Sequence, residues 1–525
     1  MPQRFGDILP AMIRARFTRW PLAALIVVIG APAGLRGQDQ ECRPFLDGPR
    51  LPLPGPDPAL RTGAEILTTG CGLGLGAGMG LVPATALVRY RSAWAYDHND
   101  GALWTGRGLS TAVAGGLGFQ RNHLRIVLDP TVAFQENRSF RLAGPDLKYP
   151  YGNANIDWPQ QPRLGGFWTV SVGQSVIALS AGPAELALST ENLWWGPARR
   201  YPILVGNTAP GFANLRLGTN RAVDIGIGDL DVDLLWGRLD ESAQFDTVSS
   251  NDHRLFTGFF FEFRPRIMPG LSLGVAGVQH NRWDEAASRF LNLYTFSFNG
   301  ELEHTKGNGL LSVEAHWRLV ESDADFYVEW ARDDYWADIQ DLLTEPDHTQ
   351  AYLFGFEKVV QGATPLRVSG ELVHLESSSP TFLSRGGSGR NRFYLHGQTP
   401  QGHTNQGQLL GAAIGSGSDA QYLAIDRLGS ARTLGFYLER IRRDEDTYYE
   451  RFASKYSFLG HDLELTVGLT GEERRGGLRV QWEAAYSRRK NRSFIGMDGV
   501  NYPPSFRETN LSFSARTFWV PSPGR

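Results

Sequence analysis

Two adjacent tryptophans, then a glycine, a proline and two arginines, are the residues of this chain whose types and spacing most invite chemistry. The stretch reads Trp194-Trp195-Gly196-Pro197-Ala198-Arg199-Arg200, with Asn207 shortly after. Gly-Pro forces a turn beside bulky aromatics. Indole faces beside guanidinium forks suit a sugar, whose C–H face stacks while its hydroxyl and acid groups take hydrogen bonds. The competing reading makes Trp194 and Trp195 structural, packing a plug or joining an aromatic girdle. Catalytic constellations are missing: there is no Gly-x-Ser-x-Gly elbow and no His-Glu-x-x-His pair. His396 and His403 share one loop without clustered carboxylates, so no metal is expected. Asp97-His98-Asn99-Asp100-Gly101 lacks calcium-loop spacing and reads as a surface turn. The glycine-rich run Cys71–Gly80 has no strand–turn–helix context for a nucleotide. The chain is therefore not read as an enzyme, and no cofactor is expected.

The elements that must position these groups are strands. From about residue 84 the apolar pattern has period two. Leu230, Val232, Leu234 and Trp236 alternate with Asp229, Asp231 and Asp233, and Val223, Ile225 and Ile227 form a shorter run before them. Leu311, Val313, Ala315, Trp317 and Leu319 alternate with Ser312, Glu314, His316 and Arg318. Leu463 to Leu469 and Leu478 to Tyr486 repeat the pattern on either side of Gly471–Gly477, which reads as a hairpin connection. Near the end, Leu511, Phe513, Ala515, Thr517 and Trp519 share one face. Such strands have one apolar and one polar side. Their length, their aromatic ends and their charged second face favour a large antiparallel transmembrane β-barrel over a soluble sandwich. An aromatic-ended closing strand also implies the barrel assembly machinery as a partner, and outer-membrane lipid as the surroundings. Residues 137–166, 378–408 and 441–461 read as long, outward-facing loops.

The N-terminus fits this address. Arg4, Arg14, Arg16 and Arg19 precede the apolar run Leu22–Ile29 and small residues at Gly30, Ala31 and Ala33, the layout of a secretory signal peptide. The expected division is 1–37 signal peptide, 38–83 a short irregular or partly helical periplasmic segment, and 84–525 the barrel. Cys42 and Cys71 are the two cysteines. In an oxidising compartment they are candidates for a disulfide, with two unpaired thiols as the alternative. A formal charge of −3 and the lack of a long basic run exclude a nucleic-acid partner.

The Trp-Trp-Gly-Pro segment, with Leu204-Val-Gly-Asn-Thr-Ala-Pro-Gly-Phe212 after it, resembles the signature of the Wzi family of capsule assembly proteins. A second segment, Tyr394–Gly411, contains Gly402-His-Thr-Asn-Gln-Gly407 and is similar to a Gly-x-Thr-Asn-x-Gly stretch of that family. The resemblance covers residues 84 to 519. It implies an all-β outer-membrane barrel of about eighteen strands, sixteen being the alternative, and a non-catalytic lectin that attaches capsular or exported polysaccharide to the cell surface. The family's periplasmic helical bundle is reduced or absent on this reading, because residues 42–80 are rich in proline and glycine. The residues expected to meet the glycan are Trp194, Trp195, Arg199, Arg200 and Asn207, with Asn405 and Gln406. The alternative function is an outer-membrane porin for small solutes.

Overall fold

The computed structural model describes residues 73–519 except 77, 97, 142–164, 243–251, 291–306, 334–342, 345–346, 348, 378–391, 397–398, 457–458, 476–477, 496 and 498–506. The expected signal peptide and both cysteines lie outside the described residues.

One antiparallel sheet holds twenty-two segments. Leu73–Gly76 and Val223–Asp224 are short additions, and four other segments combine into two interrupted strands. Eighteen wall strands remain. In chain order they begin with β1 (Met79–Arg91) and β2 (Gly108–Arg121). β3 comprises Leu124–Leu128 and Thr131–Gln135, parted at Asp129-Pro130, because proline cannot donate to the ladder. β4 comprises Phe167–Ser171 and Val176–Ala181. Then come β5 (Ala184–Ser189), β6 (Asn214–Thr219), β7 (Gly228–Asp240), β8 (His253–Pro265), β9 (Leu271–Arg282) and β10 (Asn308–Leu319). β11 (Ala324–Asp333), β12 (Gln350–Val360), β13 (Leu366–His374), β14 (Asp419–Arg427) and β15 (Arg432–Arg443) follow. The last are β16 (Asp462–Arg475), β17 (Leu478–Lys490) and β18 (Arg507–Trp519). β18 pairs with β1 from Thr85↔Phe518 to Arg91↔Ser512, which closes the ring.

Closure leaves no free edge between first and last strands, as a membrane without water requires. Short connections cluster at the end where β1 begins and β18 ends, the periplasmic end of an outer-membrane barrel. The first strand starts at Met79, five residues earlier than the period-two pattern shows, because its opening Met79-Gly80 lacks an apolar alternation. Val223–Asp224 is part of a turn, closed by Gly226 at φ +90°, and not a wall strand. Glu472 to Arg475 belong to β16, and pairing reaches Arg475↔Leu478. The expected seven-residue hairpin connection is thus two residues long. Its charges are not turn charges: Glu472 accepts from Arg474, Arg479 and Gln481.

Val313, Trp317, Leu465, Leu469, Leu511 and Phe513 are exposed on the outer face, as the alternation predicts. The inner face changes character along each strand. On β7, Asp231 and Asp233 are followed by the fully buried Leu235 and Leu239 toward the loop end. These inward leucines pack on a second body that occupies the lumen.

Candidate functional site

That body is a plug made from connections. β5 and β6 are only six residues long, about half a membrane-crossing strand. The intervening residues 190–213 turn inward instead of extending the wall. Of the loop 378–408, expected to face outward, the described residues from 392 on also run inside, and residues 409–418 continue with them. Their Phe393, Tyr394, Leu409, Leu410, Ala412 and Ile414 are buried with Leu193, Trp195, Tyr201, Ile203, Leu204 and Val205 in one apolar cluster. The reason is composition: so many contiguous apolar groups lose less by filling a lumen than by facing water.

Each expected site residue has a definite place in this body. Trp194 donates from Nε1 to the Ala198 carbonyl at 3.0 Å, closing the Gly-Pro turn. Trp195 is buried, stacks on Phe260 of β8 with centroids 5.9 Å apart, and its N–H donates to Val205 O at 3.2 Å. Gly196 adopts φ +97°, a conformation that strains other residues, and a β-carbon there would lie 2.8 Å from a Glu329 carboxylate oxygen and push it aside. Arg199 donates to Asp325 at 2.8 Å. Arg200 donates from Nε to Glu439 at 2.7 Å, and its guanidinium carbon lies 4.5 Å from the Tyr422 ring centroid. Asn207 donates to Asn99 O at 2.9 Å. Asn405 donates to Pro210 O and accepts from Asp240 N, both at 3.0 Å. Gln406 has φ +51°, donates from its backbone N–H to Asp240 O at 2.8 Å, and is exposed.

The two motif segments are therefore parts of one structure. His403 Nε2 lies 2.6 Å from Leu204 O, Gly206 N–H donates to Leu410 O at 2.7 Å, and Gln408 reaches Thr208 O at 3.0 Å. Asn405 and Gln406 take the loop-end edge of β7, which β6 is too short to pair.

Two contributors were not visible in the spacing. Glu371 of β13 accepts backbone N–H bonds from Arg199 (2.7 Å), Arg200 (3.1 Å) and Tyr201 (2.7 Å), and the Tyr327 hydroxyl at 2.8 Å. One wall carboxylate thus caps the whole turn. The second is the segment after β1, expected as a surface turn. Asn99 donates to Arg200 O at 3.0 Å, the His98 ring bonds the same carbonyl at 3.1 Å, and Gly101 N–H donates to Asn207 O at 2.7 Å. Asp100 is buried and accepts from Arg89 Nε at 2.9 Å and from Thr105. This turn is a third piece of the plug, drawn in because its donors meet carbonyls that residues 200–207 leave unpaired.

Burial sets the charge state here. It pushes the His98 imidazole down to about 4, helped by the Arg200 cation, and the His403 imidazole down to about 4, helped by Arg254. Burial raises the Tyr96 phenol to about 12. Both imidazoles are neutral at physiological pH. His403 Nε2 faces a carbonyl and so carries the proton, leaving Nδ1 to accept from His280 Nε2 at 2.8 Å. No group of three metal-ligating side chains exists among the described residues, and His403 serves the plug instead.

Between the plug and the wall formed by β15 to β18 and β1 lies a cavity with about 390 Å³ of empty space, its open mouth included. Arg91, Tyr96, His98, Arg200, Glu439 and Glu483 are among its lining. It sits at the loop end, where Arg91 terminates β1.

The model of the family described as capsule assembly protein Wzi matches residues 115–493. Among solved structures, the Wzi outer-membrane protein of Escherichia coli, described as a carbohydrate-binding β-barrel involved in group 1 capsule assembly, is similar at TM-score 0.53 and 12% identity. The alignment covers 82% of this chain and 83% of that one. Acinetobacter baumannii OccAB2 aligns at TM-score 0.41 and 11% identity, over 83% of this chain and 97% of its own. Pseudomonas aeruginosa OccK2 aligns at 0.39 and 11%, over 84% and 99%. No curated protein sequence matches. With its closed eighteen-strand wall and a family match over most of its length, the chain is an outer-membrane barrel that belongs to the Wzi family of capsule assembly proteins.

Proposed function

We propose that this barrel holds capsular or exported polysaccharide on the cell surface, without catalysis. The observation that carries the reading is the plug. The segments resembling the family's motifs fill the loop end of the lumen and present a fixed surface where a porin would keep a passage. The carbohydrate binding described for the Escherichia coli relative supports the same reading.

Attachment is adhesive on this reading. Weak contacts with repeating sugars become firm when several engage one polymer. Of the seven expected residues, Gln406 is exposed, which supports direct contact with a glycan. Trp195, Asn207 and Asn405 are buried and act by holding the plug's shape. Trp194, Arg199 and Arg200 are half-buried and border the surface. The apolar outer face supports outer-membrane lipid as the barrel's surroundings, and the closing strand β18 supports insertion by the barrel assembly machinery.

The test is a deletion strain. Polymer is still made and exported, but sheds into the medium. Unchanged cell-attached polymer removes the holding role.

A further inference from the structure

We infer that the outward face of β17 and β18 at the loop end is a docking site for a phosphate-bearing lipid of the outer leaflet, with Arg488, Lys490 and Arg507 holding the phosphate. The inference uses the barrel's place in the outer membrane and is independent of polysaccharide holding.

The pairing register sets a sequence of residue pairs up the outside of the wall. Tyr486 and Leu511 face each other and are both exposed, at the top of the apolar band that lipid tails cover. Two residues nearer the loops, Arg488 faces Thr509, and two further on, Lys490 faces Arg507. All share one face, because side chains alternate along a strand. Arg488 also has the exposed Leu465 of β16 beside it. The cations therefore begin where the greasy surface ends, at the level of lipid headgroups. Arg488 and Arg507 are exposed, and Lys490 is half-buried.

Among the described residues nothing balances these charges. None of the three side chains makes an ion pair or a hydrogen bond. The outward residues at the loop end of β16, β17 and β18 include no acid. Like charges directly opposite on neighbouring strands are destabilising. Nearby arginines are treated differently. Arg489 faces the lumen and donates to both oxygens of Asp462, at 2.7 and 2.6 Å. Glu508, next to Arg507, faces inward and is taken by Arg492 at 3.2 Å. On the outside of β15, Arg440 and Arg442 both donate to Asp419 at 2.6 Å.

A lipid phosphate answers this arrangement. Its oxygens accept from guanidinium forks and from an ammonium, and the exposed Thr509 adds a hydroxyl donor. The acyl chains below it then lie along Tyr486, Leu511 and Phe513. A free anion uses the cations but leaves that apolar surface unused.

The experiment uses the purified full-length barrel in detergent, with native mass spectrometry counting bound lipid. Diphosphoryl lipid A is compared with the same lipid stripped of its phosphates. The phosphorylated lipid is expected to bind about tenfold more tightly at low salt, with the advantage shrinking as salt rises. Arg488→Gln, Lys490→Gln and Arg507→Gln combined remove most of it. Arg507→Glu alone, which sets a carboxylate opposite Lys490, reduces it by about fivefold. Arg432→Gln, at the periplasmic end of β15, leaves it unchanged. A heat-modifiable gel shift confirms that each variant retains the barrel. Equal binding of the two lipids to the wild type overturns the site, since side chains that merely reach for water have no preference for phosphate. So does an advantage that survives the triple change. Displacement of the lipid by inorganic phosphate at equal phosphate concentration, or by tetragalacturonate at equal charge, shows an anion site open to water and overturns lipid docking.

Discussion

His403 Nε2 lies 2.6 Å from the carbonyl oxygen of Leu204 and joins two plug segments that are 199 residues apart in the chain. That bond, together with the one its Nδ1 accepts from His280 Nε2 at 2.8 Å, needs the neutral imidazole protonated at Nε2. An unfolded histidine titrates near 6.5, whereas burial holds His403 and His98 at about 4. Between these values the unfolded plug binds more protons than the folded one, so stability is lost as pH falls from about 6.5 toward 4. Each histidine contributes up to about 3 kcal/mol to that loss. Protease protection of residues 190–213 and 392–418 should decline over this window. His403→Gln, which keeps a donor for Leu204 but does not titrate, should flatten the decline.

Trp195 carries the apolar half of the plug. Its ring stacks on Phe260 and passes so close to Gly258 that a β-carbon there would lie 3.1 Å from it. Trp195→Ala should destabilise the plug by about 3–5 kcal/mol while the wall still migrates as a folded barrel. Hydrogen exchange should quicken at residues 190–213 and stay slow in β15 to β18. Exchange that quickens throughout would show that wall and plug form a single cooperative unit.

Arg200 and Glu439 form a pair whose acid is nearly fully buried. Removing the arginine alone leaves that charge without its cation, and Arg200→Ala should lower stability by about 3–5 kcal/mol. Adding Glu439→Gln should restore a substantial part. A double-mutant cycle in urea measures the coupling, and additive losses would mean the two groups do not depend on each other.

Glu371 bears on whether the lumen conducts. Four donors converge on its carboxylate, three of them backbone N–H groups of the plug turn. In planar bilayers the wild type should show no steady current of porin size, and Glu371→Ala should show frequent openings as the turn loosens. A steady open current from the wild type would favour the porin reading over a sealed surface.

The wall was legible in the sequence because its rule is local. Period two over Leu311–Leu319 or Leu478–Tyr486 needs only the neighbouring residues. The broken strands were harder, since a Pro130 inside one strand looks like a boundary. The plug was legible only as motifs. Trp194-Trp195-Gly196-Pro197 announced a turn, but its direction depends on Glu371, 172 residues from Arg199, and no spacing rule links them. His98-Asn99-Asp100-Gly101 looked like a surface turn for the same reason: its partners are carbonyls of residues 200–207. Leu235 and Leu239, facing inward, were a local sign that the lumen is filled, as were Val278, Val373 and Ile441 on other strands. A wet lumen would have continued the aspartates of the same face.

The half-length strands Ala184–Ser189 and Asn214–Thr219 also set an order of events during assembly. Wall hairpins join neighbours a few residues apart and can zip in chain order, whereas contacts of high sequence separation form late. Residues 190–213 enter the growing ring before β7 exists, but Leu204, Gly206 and Pro210 receive His403, Leu410 and Asn405 only after β13 has been laid down. Until then the backbone groups of Leu204, Gly206 and Pro210 are without these partners, and the apolar cluster of the plug lacks Phe393, Tyr394, Leu409 and Leu410. Sealing is therefore a late step of folding, and a chain arrested before residue 392 would be an unsealed, adhesive intermediate.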